Sequence, residues 1–168
     1  MKLVIDVHYS QNEYAVASGM LFSEWDSPSY ENKLSVKIAD IEPYQPGSFF
    51  KRELPCILAL LKEIKENYEV IVIDGYVTLG EDEREGLGTH LYNSLSKKVP
   101  IIGVAKNSFA GTPEECKVLR GSSKNPLYVT SIGISRSEAK SYIQKMHGEY
   151  RVPTLLKLVD SECRNEIT

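Results

Sequence analysis

A chain of 168 residues with a hydrophobic fraction of 42% and a charged fraction of 26% has the makeup of a soluble globular protein, and its length suits a single domain over residues 1–168 better than two. Its longest apolar runs, Val70-Ile71-Val72-Ile73 and Ile57 to Leu61, fall far short of the roughly 20 residues of a membrane span; the N-terminus lacks a basic and apolar leader, so the cytoplasm is the expected location. The net charge of −3 argues against a broad electrostatic nucleic-acid binder, yet residues 1–96 hold 8 basic and 16 acidic side chains and residues 97–168 hold 12 and 7, a split suited to carboxylates gathered at one site with Lys and Arg presented nearby to a polyanion.

In chain order, Lys2 to Tyr9, Tyr14 to Phe22 and Leu34 to Ile41 read as three consecutive strands, a meander. The connection Ser23 to Asn32, rich in Ser, Asp and Pro, is a loop, and Glu42-Pro43-Tyr44-Gln45-Pro46-Gly47 is another. Leu54, Ile57, Leu58, Leu61 and Ile64 recur at helical spacing, which predicts an amphipathic helix to about Asn67; Pro55 has no N–H, so its regular part should start near Arg52 or be kinked there. Val70 to Ile73 is wholly apolar and ends at Asp74-Gly75, as in a strand buried on both faces.

Gly86 to Leu95 suits a helix and Ile101 to Val104 another buried strand. Lys117 to Leu119 and Leu127 to Thr130 suit a hairpin, and helices are expected over Ser135 to Met146 and from Thr154 to about Arg164. The order implies an α/β fold: a mixed β-sheet, a three-strand meander plus further strands, flanked by helices.

Asp6 and Asp74 each lie where an apolar strand approaches its end, from which side chains of different strands can converge at one edge of a sheet. Two such acids either cap turns or share a cation; magnesium takes oxygen ligands and suits an open carboxylate cluster. Glu53 shares a helix face with Ile57, Leu60 and Ile64 and so points inward, where a carboxylate needs a partner: Arg52, Lys106 or a metal. Asp160 stands one turn after Leu156 in the last helix. Cys56, Cys116 and Cys163 are odd in number and widely spaced, and His8, His90 and His147 lack the spacings that place two imidazoles on one ion, so neither a disulfide framework nor a zinc site is expected.

Six stretches also stand in a telling order: Asp6-Val7-His8-Tyr9; Tyr44-Gln45-Pro46-Gly47 running to Lys51-Arg52-Glu53-Leu54-Pro55; Asp74-Gly75; Gly86-Leu87-Gly88-Thr89-His90-Leu91; Ile101-Ile102-Gly103-Val104-Ala105-Lys106; and Tyr150-Arg151-Val152-Pro153 to Asp160. In these the chain resembles the endonuclease V family over nearly its whole length. The resemblance implies a ribonuclease-H-like fold and a nuclease of nucleic-acid repair or processing, which recognises inosine in DNA or RNA and cleaves 3′ to it with magnesium or manganese. It implies Asp6, Glu53, Asp74 and Asp160 as metal-site residues and Lys106 as a contact to phosphate or to the attacking water. Tyr44, with Pro46 and Gly47, would be the wedge beside a flipped base, and His90 a substrate-side residue. No obligate protein partner is implied.

The chain departs from the family in places. The usual Gly-rich turn and His-Pro-Arg element after the second aspartate is replaced by Tyr76-Val77-Thr78-Leu79-Gly80-Glu81-Asp82-Glu83-Arg84, and a Ser-x-Gly-His pattern by Thr130-Ser131-Ile132-Gly133-Ile134. Two alternatives therefore stand beside the inosine nuclease: a structure-selective nuclease of the resolvase kind, and a nucleic-acid-binding module without catalysis, for which the acidic run Glu81 to Glu85 speaks.

Overall fold

Strand residues alternate between two faces, and the run Val70-Ile71-Val72-Ile73 is apolar on both, so that strand must be covered on both sides. The computed structural model, which describes residues 1–11 and 13–167, bears this out. β1 (Lys2–Ser10), β2 (Tyr14–Phe22) and β3 (Asn32–Ile38) form the antiparallel meander. Next come α1 (Phe49–Glu63), β4 (Val70–Asp74), a small hairpin of β5 (Thr78–Leu79) and β6 (Arg84–Glu85), and α2 (Leu87–Ser94). β7 (Ile101–Ala105), β8 (Lys117–Val118), β9 (Leu127–Ile132), α3 (Arg136–Lys145) and α4 (Thr154–Asn165) complete the chain.

The strands join in the order β3-β2-β1-β4-β7-β9-β8, with β4 parallel to both β1 and β7 and the other pairings antiparallel. Leu3, Ile5, Ile71 and Ile73 pack with Ile57 and Leu60 of α1 and Leu91 of α2. Val4, Val72, Ile102 and Val104 pack on the other face with Ile143 of α3 and Leu155 and Val159 of α4. The α/β mixed sheet between two helical layers is the architecture expected.

Two elements differ most from the sequence reading. β3 spans Asn32–Ile38, not Leu34 to Ile41. α1 starts at Phe49, runs through Pro55 and ends at Glu63, where Ile64 turns extended. Proline is tolerated because the bond it cannot make would have ended on Lys51 in the first turn; both residues are exposed, so water can serve that carbonyl. Among the described residues no helix is long and apolar enough to cross a membrane.

The turn after β4 is fixed by close approach. A Cβ on Gly103 would stand 2.5 Å from the Gly75 carbonyl and 2.8 Å from Thr130 Oγ1, so only glycine lets that turn lie over β7. The Val77 N–H donates to Thr130 Oγ1 at 2.8 Å and the Gly75 N–H to the Val104 carbonyl at 3.0 Å. These contacts hold Asp74 at the mouth of the sheet.

Candidate active site

Pairing of β1 with β4 stops at Ile5–Ile73, while β1 continues along β2 alone to Ser10–Tyr14. Asp6 is therefore not near the end of its strand, as the sequence suggested; it is the first residue beyond the parallel pairing, where the sheet opens. Asp74 is the last residue of β4, paired with Val104, and Lys106 follows β7 directly. Glu53 reaches the same opening from α1. Asp6, Glu53, Asp74 and Lys106 all line one open cleft of about 390 Å³, together with Tyr9 and Tyr76. Asp160 comes from α4 on the opposite face and brings a carboxylate oxygen within 4.8 Å of one of Asp6.

Glu53 is only 5% exposed; Arg52, which the sequence offered as a partner, acts on it through its charge, but the hydrogen bond it makes comes from a residue the sequence did not offer. The Tyr9 hydroxyl donates to Glu53 Oε2 at 3.0 Å, with the Arg52 guanidinium 3.7 Å over the Tyr9 ring. Burial pushes the Glu53 carboxyl up to about 8, with Asp74 adding to the rise and the Tyr9 bond opposing it. Lys106 pairs with Asp74 instead, Nζ to Oδ2 at 3.2 Å.

Burial, then the charge of Asp74, pushes the Asp6 carboxyl up to about 8, although its Oδ1 accepts from the Val7 N–H at 2.9 Å. Asp160 moves the other way. Its partial burial is outweighed by the hydrogen bond with Asp6 and by Arg164, whose Nε lies 3.0 Å from Oδ1, so its carboxyl stays below the usual range.

Carboxylates that hold protons this tightly lack positive charge. Their donors are hard oxygens on three elements facing one open space, which fits a magnesium or manganese ion that also keeps water and phosphate. Cys163 Sγ lies with carboxylate oxygens of Asp6 and Asp160 within 4.8 Å, but its thiol donates to the Val159 carbonyl at 3.2 Å, and burial pushes it up to about 12. It is a core thiol, not a ligand for a hard cation.

Tyr9 and Arg164 were not singled out as site residues from sequence, and Arg52 only as a candidate partner of Glu53. The signal was there: Tyr9 shares the odd-numbered face of β1 with Ile5 and Val7 and so meets α1, and Arg164 follows Asp160 by one helical turn.

A second pocket, of about 360 Å³, shares Phe49, Gly75 and Tyr76 with the cleft. Its other walls include Gly47, Phe50, Phe109, Arg84 and Glu85. The β5–β6 hairpin, read from sequence only as a departure, thus builds one wall, and Arg84 lies 5.7 Å from the Phe109 ring. Gly47, at a φ of +79°, turns the loop into α1. His90 lies behind the pocket, stacked on Phe50 at 3.8 Å. Tyr44 and Pro46 are exposed on the preceding loop, Tyr44 by 58%.

Residues 3–128 match the family model described as Endonuclease V. Endonuclease V of Nostoc punctiforme is 30% identical over 138 residues, covering 70% of this chain and 61% of that protein; the chain thus spans less than two thirds of that relative's length. The crystal structure of a Bacillus subtilis endonuclease V superposes with a TM-score of 0.81 at 20% identity, over 98% of this chain and 79% of that one. That of Ciona intestinalis endonuclease V, in complex with a 23mer DNA containing an inosine followed by a ribo-adenosine, gives 0.77 at 20% identity, over 99% and 84%. These structures carry the fold, with its sheet and both helical layers.

Proposed function

The chain belongs to the endonuclease V family, with that family's ribonuclease-H-like fold, and from this premise we propose that it is a single-domain, metal-dependent endonuclease that cuts the backbone of DNA or RNA 3′ to inosine. The observation that carries the reading is the meeting of Asp6, Glu53, Asp74 and Lys106 in one cleft, with two of the carboxyls raised to about 8. The Ciona relative's inosine-containing ligand supports the choice of base.

Asp6, Glu53 and Asp74 would hold magnesium or manganese, with Asp160 steadying Asp6 and able to join as a ligand. Bound there, the ion supplies charge to the phosphate, lowers the pKa of water and stabilises the leaving 3′ oxygen. The protein's own part is positioning. The Tyr9 bond fixes the Glu53 carboxylate, while the parting of β1 from β4 fixes Asp6 and the end of β4 fixes Asp74. Lys106, paired with Asp74 here, would contact a phosphate oxygen or the attacking water. The pocket beside the cleft receives the extruded base against Phe50 and Tyr76, with His90 bracing Phe50, while Tyr44 on its Pro-flanked, Gly47-hinged loop fills the gap in the stack.

The test is cleavage of matched oligonucleotides, with and without inosine, in magnesium, manganese or EDTA. Cutting 3′ to inosine that needs metal is expected; no cutting under any condition refutes the nuclease. A second reading, a structure-selective nuclease, is favoured by the β5–β6 hairpin that stands in place of the family's Gly-rich turn. Cutting of branched but not inosine-containing substrate would select it.

A further inference from the structure

Beyond Lys106 and Asn107 the carboxylate cleft opens into another, of about 320 Å³. Its lining residues are Lys106, Asn107, Ser108, Asn125, Tyr128 and Arg151, with Pro126. None is acidic, in contrast to the carboxylates one residue away. Arg151 spans it: Nε and Nη2 donate to the Pro126 carbonyl at 3.3 and 3.0 Å, and Nη2 also to the Lys106 carbonyl. This guanidinium pins the chain after β7 to the chain before β9, which fixes the cleft's width.

Most side chains that line it have donors to spare. Among the described residues the side chains of Asn107, Ser108, Asn125 and Tyr128 make no hydrogen bond, nor does Arg151 Nη1, and Lys106 Nζ bonds only Asp74. Asn125 is tied through its backbone alone, its N–H to Ser123 Oγ and its carbonyl from the same hydroxyl. Two cations, two amides and two hydroxyls around a space without acids form a recognition surface for phosphate oxygens.

We propose that this cleft is a phosphate subsite for the backbone phosphodiester on the 3′ side of the bond that is cut. The polarity rests on the nuclease reading. The base pocket meets the carboxylates at Phe49, Gly75 and Tyr76, whereas this cleft meets them at Lys106 and Asn107, and the two share no lining residue. If the base lies 5′ of the scissile phosphate, the strand continues 3′ along Lys106 toward Arg151.

The experiment is a phosphate walk. Single-stranded inosine oligonucleotides, each with one neutral methylphosphonate at a successive position, are bound in EDTA to the parent and to Asn125→Asp, which places a like charge in the cleft at an exposed residue. Equal thermal melts establish that both proteins are folded; should Asn125→Asp prove unstable, Ser108→Glu, also exposed, replaces it. The parent should lose roughly tenfold in affinity at one position on the 3′ side, as for one lost charge-assisted contact. The variant should bind more weakly, with that penalty gone. Equal penalties in both proteins, or one confined to the 5′ side, overturn the subsite. Cleavage of the same oligonucleotides in magnesium reads the nuclease separately: the mapped penalty without cutting refutes the nuclease and keeps the subsite, and cutting with a flat map does the reverse.

Discussion

The carboxylate cleft and the pocket beside it share three residues, yet different parts of the chain build them. The cleft is made by register: Asp6 where β1 parts from β4, Asp74 at the end of β4, Glu53 on the inward face of α1. The pocket is made largely by turns, with Gly47, Gly75 and the hairpin carrying Arg84 and Glu85 as walls. On the proposed function, regular elements thus place the groups that would do chemistry, and loops those that would choose what enters. Loops can change without disturbing the sheet, so the chain can keep its acids and alter its base pocket.

Substitutions in the cleft should abolish turnover on every substrate, and the largest effect is expected at Asp74. Asp74→Asn removes a carboxylate and leaves Lys106 without its partner; cleavage of inosine-containing DNA and RNA should fall by orders of magnitude, read as single-turnover rates. A rate near the parent's would take Asp74 out of the site. Lys106→Ala should cost less, on the order of a hundredfold in turnover, with metal binding nearly intact because an ammonium cannot ligate an ion. Loss of metal binding in that variant would make Lys106 a structural brace.

Acidity distinguishes the two regions without any substrate. Asp6 and Glu53 hold carboxyls at about 8 against ordinary values of 3.8 and 4.5. Acids raised in the folded state contribute stability that is full below their ordinary values and lost as the pH climbs through about 8. In EDTA the melting temperature should therefore drop by several degrees between about pH 5 and about pH 9, and magnesium should restore most of it at the upper end by binding the folded state. A flat profile in EDTA would contradict the burial argument. The smallest effect is expected on the loop: Tyr44→Ala should slow cleavage of duplex several-fold more than of single strands, because a wedge matters only where a base leaves a stack. Equal losses would leave Tyr44 as loop packing.

The sequence showed most of the sheet, because strands buried on both faces leave runs such as Val70 to Ile73 that only a central position explains. It also brought Asp6, Glu53 and Asp74 together. It placed Asp6 wrongly at a strand end, since nothing local tells a strand to outlast one neighbour. It offered Arg52, Lys106 or a metal for Glu53 and so caught the charge of Arg52, but missed Tyr9, because charge opposition is visible in sequence while a hydroxyl delivered by Tyr9 depends on how α1 crosses β1. The β5–β6 hairpin escaped notice because Thr78–Leu79 and Arg84–Glu85 are too short for an alternating pattern.

The account stands on the carboxylates around Asp6 being held together for a divalent cation rather than for the fold. Thermal melts of the parent and of Asp6→Asn across a magnesium or manganese titration test this directly, since the amide keeps the shape and removes one of the crowded acids. The account predicts that Asp6→Asn melts no lower than the parent in EDTA and loses most of the rise that metal gives the parent. An Asp6→Asn protein that melts well below the parent in EDTA, yet gains as much from metal, would contradict it.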